Sequence, residues 1–479
     1  VLSYDFKENV MKAGTTQELF DWLEGVVRLD NSTVTVLEAA QLPGKIDKLV
    51  YSAVFSDGLT RDMARWLIWE IAQAVGVYPS SIHELYLAIG RGDVPPSFTV
   101  PAMNVRAMNF TTSRAIFRAA NKLNVGAMIF EIARSEIGYT GQRPSEYVSC
   151  VLGAAIKEGY RGPVYIQGDH FQVSAAKYKT NPDAEIQAVK DIMTEAVEAG
   201  FYNIDIDTST LVDLSYDTLA EQQRVNYEQC AVLTRYAREI EPEGITISLG
   251  GEIGEVGHKN STVEELHAFM QGYRSVTEDV AGISKISVQT GTSHGGVVLP
   301  DGTLAQVQVD FDTLRDLSTA ARDVYGLGGA VQHGASTLPA EAFGKFPEIG
   351  TVEIHLATNF QNMVFDLLPK EMVEESYAYV KANFANEWKT GKTEDQFIYS
   401  TRKKVIGPFK EQWWHLPDEQ QRKIGAALQE QFEFLFDKLN VKNTRQVATE
   451  LTPHIPIHKP RPAAAAAATA EEDVSDLDD

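Results

Sequence analysis

A closed (β/α)8 barrel of the TIM type, α/β in class, is what this chain predicts, on three observations. Eight short apolar runs recur between residues 98 and 358. Amphipathic helical stretches separate most of them, and strand–helix alternation implies parallel strands with right-handed crossovers. The repeat also fills a span close to the roughly 250 residues usual for such a barrel. A helical N-terminal domain is expected before the barrel and a helical extension after it.

In chain order, residues 1–96 show apolar positions at helical spacing in TTQELFDWLEGVV, TVTVLEAAQL, TRDMARWLIWEIAQAVGV and SIHELYLAIGRG. Ser or Thr stands at plausible N-caps, and Pro95-Pro96 marks the boundary. The predicted strands are FTVPAMNV (98–105), VGAMIFEIA (125–133), PVYIQGDH (163–170), YNIDIDT (202–208), TISLGGE (246–252), ISKISVQTG (283–291), LGGAVQHG (327–334) and TVEIHLAT (351–358). Between them lie helical stretches such as SRAIFRAANKL, PDAEIQAVKDIMTEAVEAG and FDTLRDLSTAARDVYG. YAYVKANFANEW and QFEFLFDKL continue as helices to about residue 450, with the basic loop STRKKVIGPFK (400–410) among them. Residues 451–479 read as a linker, PHIPIHKPRP, and an acidic tail, EEDVSDLDD, too poor in apolar surface to order itself.

Composition narrows the function. A net charge of −23 argues against nucleic-acid or anionic-membrane partners. Two cysteines 80 residues apart, Cys150 and Cys230, form no Cys-x-x-Cys pair, so neither a sulfur-rich zinc site nor a redox motif is expected. With no apolar stretch of membrane-spanning length and no signal-peptide pattern, a cytoplasmic protein with reduced thiols is predicted.

The chemistry lies where strands end. In GPVYIQGDHF, SVQTGTSHGG and GAVQHGAS an apolar run stops and a histidine follows, with glycine close by. Barrel active sites assemble at the carboxyl ends of strands. His170, His294 and His333 therefore form a candidate divalent-metal site, with three protein ligands and one open position. Asn104, Glu131, Asp169, Asp207, Ser209, Glu252, His355 and Thr358 fall at or near strand ends as well. Asp169 admits three readings: an orienter of an imidazole, a general acid/base or a helix N-cap.

These segments resemble the class II (zinc-dependent) fructose-bisphosphate and tagatose-bisphosphate aldolases, from VPAMNV through PVYIQGDH, IDIDTS, GGEIGEVG, GTSHGGV and QHGAS to IHLATN. The resemblance implies Zn²⁺, or Co²⁺ or Mn²⁺ in its place, at His170, His294 and His333, with Asp169 moving the proton at the cleaved carbon–carbon bond. It implies Asp207 and Glu252 as ligands of an alternative metal position, Glu252 being counted with the catalytic residues too; charge balance near the site is the plainer account of both. A bound divalent ion would act as a Lewis acid on the ketone of a sugar or sugar phosphate and stabilise an enediolate. Asn104, Gly295, Gly334, Ser336, Ala357 and Thr358 are the expected substrate contacts, the glycines allowing close backbone approach. A monovalent cation such as Na⁺ or K⁺ at those glycines and a homo-oligomer are further family expectations. GEVGHKNSTVEE, with Gly254 and Gly257 as hinges, reads as a lid.

The chain also departs from the family pattern. Glu131-Ile132-Ala133 stands where Gln-x-Ser is usual, His355 where an Asn contacts the substrate, Glu353 where a Lys is common and Asn359 where an acid is common. Arg402, Lys403 and Lys404 are the basic residues able to offset the added acid, from this chain or a neighbouring subunit. Three functions follow: an aldolase cleaving a ketose (bis)phosphate, a C4-epimerase or isomerase using retro-aldol chemistry with His355 as an extra acid/base, and a non-catalytic aldolase subunit.

Overall fold

A computed structural model describes residues 11–254, 259–291 and 308–463. Eight parallel strands close the barrel: β4 (Val100–Asn104), β5 (Ile129–Ala133), β6 (Gly162–Gln172), β7 (Asn203–Asp207), β8 (Ser248–Glu252), β9 (Lys285–Val288), β10 (Ala330–Gln332) and β11 (Glu353–Leu356), with β11 pairing back to β4. Each overlaps the strand its apolar run predicts. Nearly every strand residue is buried, because the outer face meets helices while the inner face fills the barrel. Helix Pro182–Ala199 starts on an Asn181 cap and stops at left-handed Gly200; helix Val263–Thr277 starts with a Thr262–Glu265 capping box.

The N-terminal segment is mostly helical, but TVTV forms a strand. β1 (Val27–Asp30) and β2 (Thr33–Val36) pair as an antiparallel hairpin, because β-branched alternation outweighs the helical spacing read across it. A third strand, β3 (Val77–Ser80), joins the barrel sheet, running parallel to the first residues of β6. The β6 edge is thus shared: β3 takes residues 162–165, and β7 takes it from Gln167 onward. Asn203 clamps the junction, donating to Ser80 O and Ile166 O and accepting from Ile82 N. The helix His83–Arg91 that follows buries Tyr86 completely, with its hydroxyl on Glu353.

At the other terminus the stretch expected to be a linker lies against the helix Gly58–Ala74. The Trp66 and Trp69 indoles donate to Lys459 O and Ile457 O at 2.9 and 2.7 Å, and Gln73 pairs with both polar groups of the Ile457 backbone. Arg402–Val405 within STRKKVIGPFK is a turn of 3-10 helix rather than a loop, packed on the helix Arg134–Thr140 that leaves β5. The acidic tail from residue 464 lies outside the described residues.

Candidate metal and catalytic site

Two consecutive residues of an extended strand point to opposite faces, so Asp169 and His170 share a pocket only if the backbone breaks that rule. It does. Opposite β7, Gly168 pairs with Ile204 and Phe171 with Ile206, leaving one extra residue in β6. This β-bulge puts His170 at φ +39°, a left-handed conformation uncommon outside glycine. Gly168 makes the bulge feasible, since a Cβ there would lie 2.4 Å from the Phe171 ring.

The result is a dense cluster. The His170 ring stands 4.3 Å from that of His333, which stands 4.0 Å from that of His355. His170 Nδ1 is 3.1 Å from Asp207 Oδ2 and 3.5 Å from Glu252 Oε2. Asp207 is itself held by Gln172 and by the backbone and hydroxyl of Ser209. Among the described residues four groupings have their ligand atoms within 4.8 Å of one another, and two of them contain His170: Asp169, His170 and His333, and His170, Asp207 and Glu252. Both fit a divalent ion bound by nitrogen and oxygen. Ser287 holds His333 through Nε2 at 3.0 Å. His294, the third histidine expected from the sequence, lies outside the described residues, as do Gly295 and the lid residues Gly257 and His258.

His355 meets the acid/base side of the cluster. Its Nδ1 is 3.2 Å from both Asp169 Oδ1 and Glu131 Oε2, and its Nε2 is 2.7 Å from Glu353 Oε1. Asn104 spans from Glu136 (2.7 Å) to Asp169 Oδ2 (3.5 Å), and Glu136 in turn pairs with Arg106. Among the other expected substrate contacts, Gly334 is left-handed at φ +69° and opens the turn Ala335–Thr337. Ser336 accepts from the Ala357 amide, tying the exits of β10 and β11 together, and Thr358 is buried at the start of the next helix.

Below the mouth runs a second polar layer in which Lys285, Gln167 and Asp205 join Glu131 and Glu353, the first three not singled out from sequence. Lys285, fully buried, reaches Gln167 Oε1 and Asp205 Oδ1 at 2.8 Å and also Glu353. Gln167 donates to Glu131 and Glu353 at 3.0 and 3.1 Å. A period of two predicts this layer: residues 131, 167, 205, 285 and 353 each stand two positions before a residue at the mouth. Gly250 leaves the room, as a Cβ there would lie 2.3 Å from Asp205 Oδ1.

Protonation follows from burial and neighbours. Burial, then Asp207, pushes the Glu252 carboxyl up to about 8, and burial with Asp169 does the same for Glu131. Burial alone would lower the two imidazoles. Asp169, Glu252 and Asp207 outweigh it at His170, and Glu131 and Asp169 outweigh it at His355, raising both well above the ordinary histidine range. Burial would raise Glu353 too, yet Lys285 and His355 draw it down to about 2. The acid and base halves of the site are thus set apart by environment.

Residues 96–411 match the sequence family described as "Fructose-bisphosphate aldolase class-II". The chain belongs to that family, a family of aldolase-type lyases that are typically metal-dependent. Among curated proteins it is similar to "D-tagatose-1,6-bisphosphate aldolase subunit GatZ" of Escherichia coli K12, 27% identical over 185 residues, which are 34% of this chain and 43% of that one. It thus spans under half the length of that relative. Among solved structures it is similar to the YdjI aldolase of Escherichia coli K12 (13% identical, covering 76% of this chain and 99% of that one, TM-score 0.47). It is also similar to the fructose-bisphosphate aldolase of Campylobacter jejuni (18% identical, 74% and 93%, TM-score 0.46). No helix among the described residues is long and apolar enough to cross a membrane.

Proposed function

We propose that this chain catalyses reversible aldol cleavage of a ketose phosphate or bisphosphate, with a triose phosphate as one product. The observation that carries this is the β6 bulge, which turns a carboxylate and an imidazole from adjacent positions into one pocket. His170 and His333, with His294 as the expected third ligand, would hold a divalent ion; Asp207 and Glu252 offer it an alternative position. Such an ion supplies Lewis-acid polarisation of the substrate carbonyl. Asp207 and Ser287 orient the two imidazoles, the work outer partners do in metal sites. Asp169, next to Asn104 and His355, is placed to take the hydroxyl proton as the carbon–carbon bond breaks and to return it in the reverse direction.

Anion recognition is supported from within the chain. Arg402 is committed to Asn362 and Tyr377, and Lys404 to Glu387. Lys403 sits over the Tyr139 ring near Arg106, where burial and then Arg106 lower its ammonium to about 8. We assign Lys403, beside the Arg106–Glu136 pair, to the phosphate-bearing end of the substrate.

His355 against Asp169 favours a second reading, epimerisation, because two proton-carrying groups meet at one bond. Keeping His170, His333 and Asp169 together speaks against a purely non-catalytic subunit, which needs none of them. The test is incubation with fructose 1,6- and tagatose 1,6-bisphosphate, scored for both triose phosphate and epimer. Triose phosphate release that EDTA and Asp169→Ala both abolish is the expected result. Interconversion of the two sugars without fragments would replace the aldolase by the epimerase, and neither product with any ketose phosphate would end both readings.

A further inference from the structure

We propose a second divalent-cation position, formed by Glu131, Asp169 and His355, so that the barrel mouth holds a pair of ions sharing Asp169. The chemistry of this cluster differs from that of the histidine site beside it.

Three observations carry it. First, Glu131, Asp169 and His355 bring one ligand atom each within 4.8 Å of one another, and Asp169 also belongs to the grouping with His170 and His333. A carboxylate common to two neighbouring groupings is how paired-metal sites are bridged. Second, the atoms converge and one is left over. His355 Nδ1 lies 3.2 Å from an oxygen of each carboxylate, one ring nitrogen between two acids. Glu131 Oε1 is buried with no hydrogen-bond partner among the described residues, at zero exposure. An orphaned polar atom this deep is costly unless something absent from the polypeptide binds it.

Third, carboxylates crowd this end of the barrel. Glu131, Asp169, Asp207 and Glu252 stand at or near the mouth, and Asp205 and Glu353 pair with Lys285 beneath it, so a further cation meets compensating charge here. Glu131 and His355 land in contact although 224 positions separate them in the sequence. One imidazole with two carboxylates favours a cation of the Mn²⁺, Fe²⁺ or Co²⁺ class over a thiophilic one. Asp169 would serve both positions, with Oδ1 toward His355 and Oδ2 beside Asn104.

The experiment is metal stoichiometry on the full chain. Protein stripped with chelator is reloaded with Mn²⁺, dialysed, and analysed for bound metal and by electron paramagnetic resonance. Two ions per chain with an exchange-coupled spectrum are expected for the unaltered protein. Glu131→Gln and His355→Asn should each bind one ion per chain and give a mononuclear spectrum. A single ion in the unaltered protein overturns the proposal, and so does retention of two in both variants. Should either variant fail to fold, the other decides, since two ions retained in it overturn the proposal. Binding is read without turnover, so a chain that holds two ions yet cleaves no sugar overturns the aldolase reading and leaves this one standing.

Discussion

Replacing Lys285 by Met tests whether the buried polar layer holds the barrel together as its geometry requires. Lys285 and Glu353 are both fully buried, and the ammonium also serves Asp205 and Gln167. Met conserves most of the volume, so a cavity contributes little. What remains is loss of one partner from a buried ion pair, about 3–5 kcal/mol. At about 2–4 °C per kcal/mol for domains of 150–250 residues, a fall in Tm on the order of 10 °C is expected by scanning calorimetry. Adding Glu353→Gln removes one stranded carboxylate. The double variant should therefore be more stable than the sum of the single losses predicts, by roughly 1–3 kcal/mol. A single variant within about 1 kcal/mol of the parent would falsify the claim that this ion cluster is paired and buried.

Two other perturbations address separate parts of the molecule. Gly168→Ala pushes a methyl toward the Phe171 ring and should disturb the bulge. Bound metal is expected to weaken on the order of 10-fold or more, as for loss of an orienting group, and equilibrium dialysis that shows unchanged affinity would refute the bulge's role. Lys459, stacked 3.7 Å over Trp69, has its ammonium lowered by burial from 10.5 to about 7. Between those values the folded chain binds fewer protons than the unfolded one, so stability rises with pH across that window. Relative to Lys459→Met, the parent's Tm should gain from pH 7 to 10; a pH-independent difference counts against a buried amine at the C-terminal strap.

Family and barrel were legible because both rest on local pattern. The apolar runs mark the eight strands, and Asp169-His170, His333 and His355 follow directly after strand residues that had to be buried. TVTV was misread because four residues carry too little periodicity to separate helix from strand, and tertiary pairing with Val27–Asp30 decided it. Lys285, Asp205 and Gln167 were overlooked although their alternation with mouth residues was present; a charged side chain inside an apolar run reads as an exception until a closed barrel forces it inward.

The sequence by itself determined which residue types stand at the strand ends, and so the class of chemistry. Only the tertiary structure decided how they meet. The bulge that turns Asp169 and His170 to one side depends on β7 pairing with β6 out of step. The contact of Glu131 with His355 depends on β5 and β11 flanking β4 in a closed ring. One partner of Glu353 at the barrel's base, Tyr86, comes from a helix outside the repeat altogether. The physical reason is distance along the chain. Local pattern reports what a residue does to its neighbours in sequence, whereas ligand geometry is set by strand order, register and closure, which link residues hundreds of positions apart.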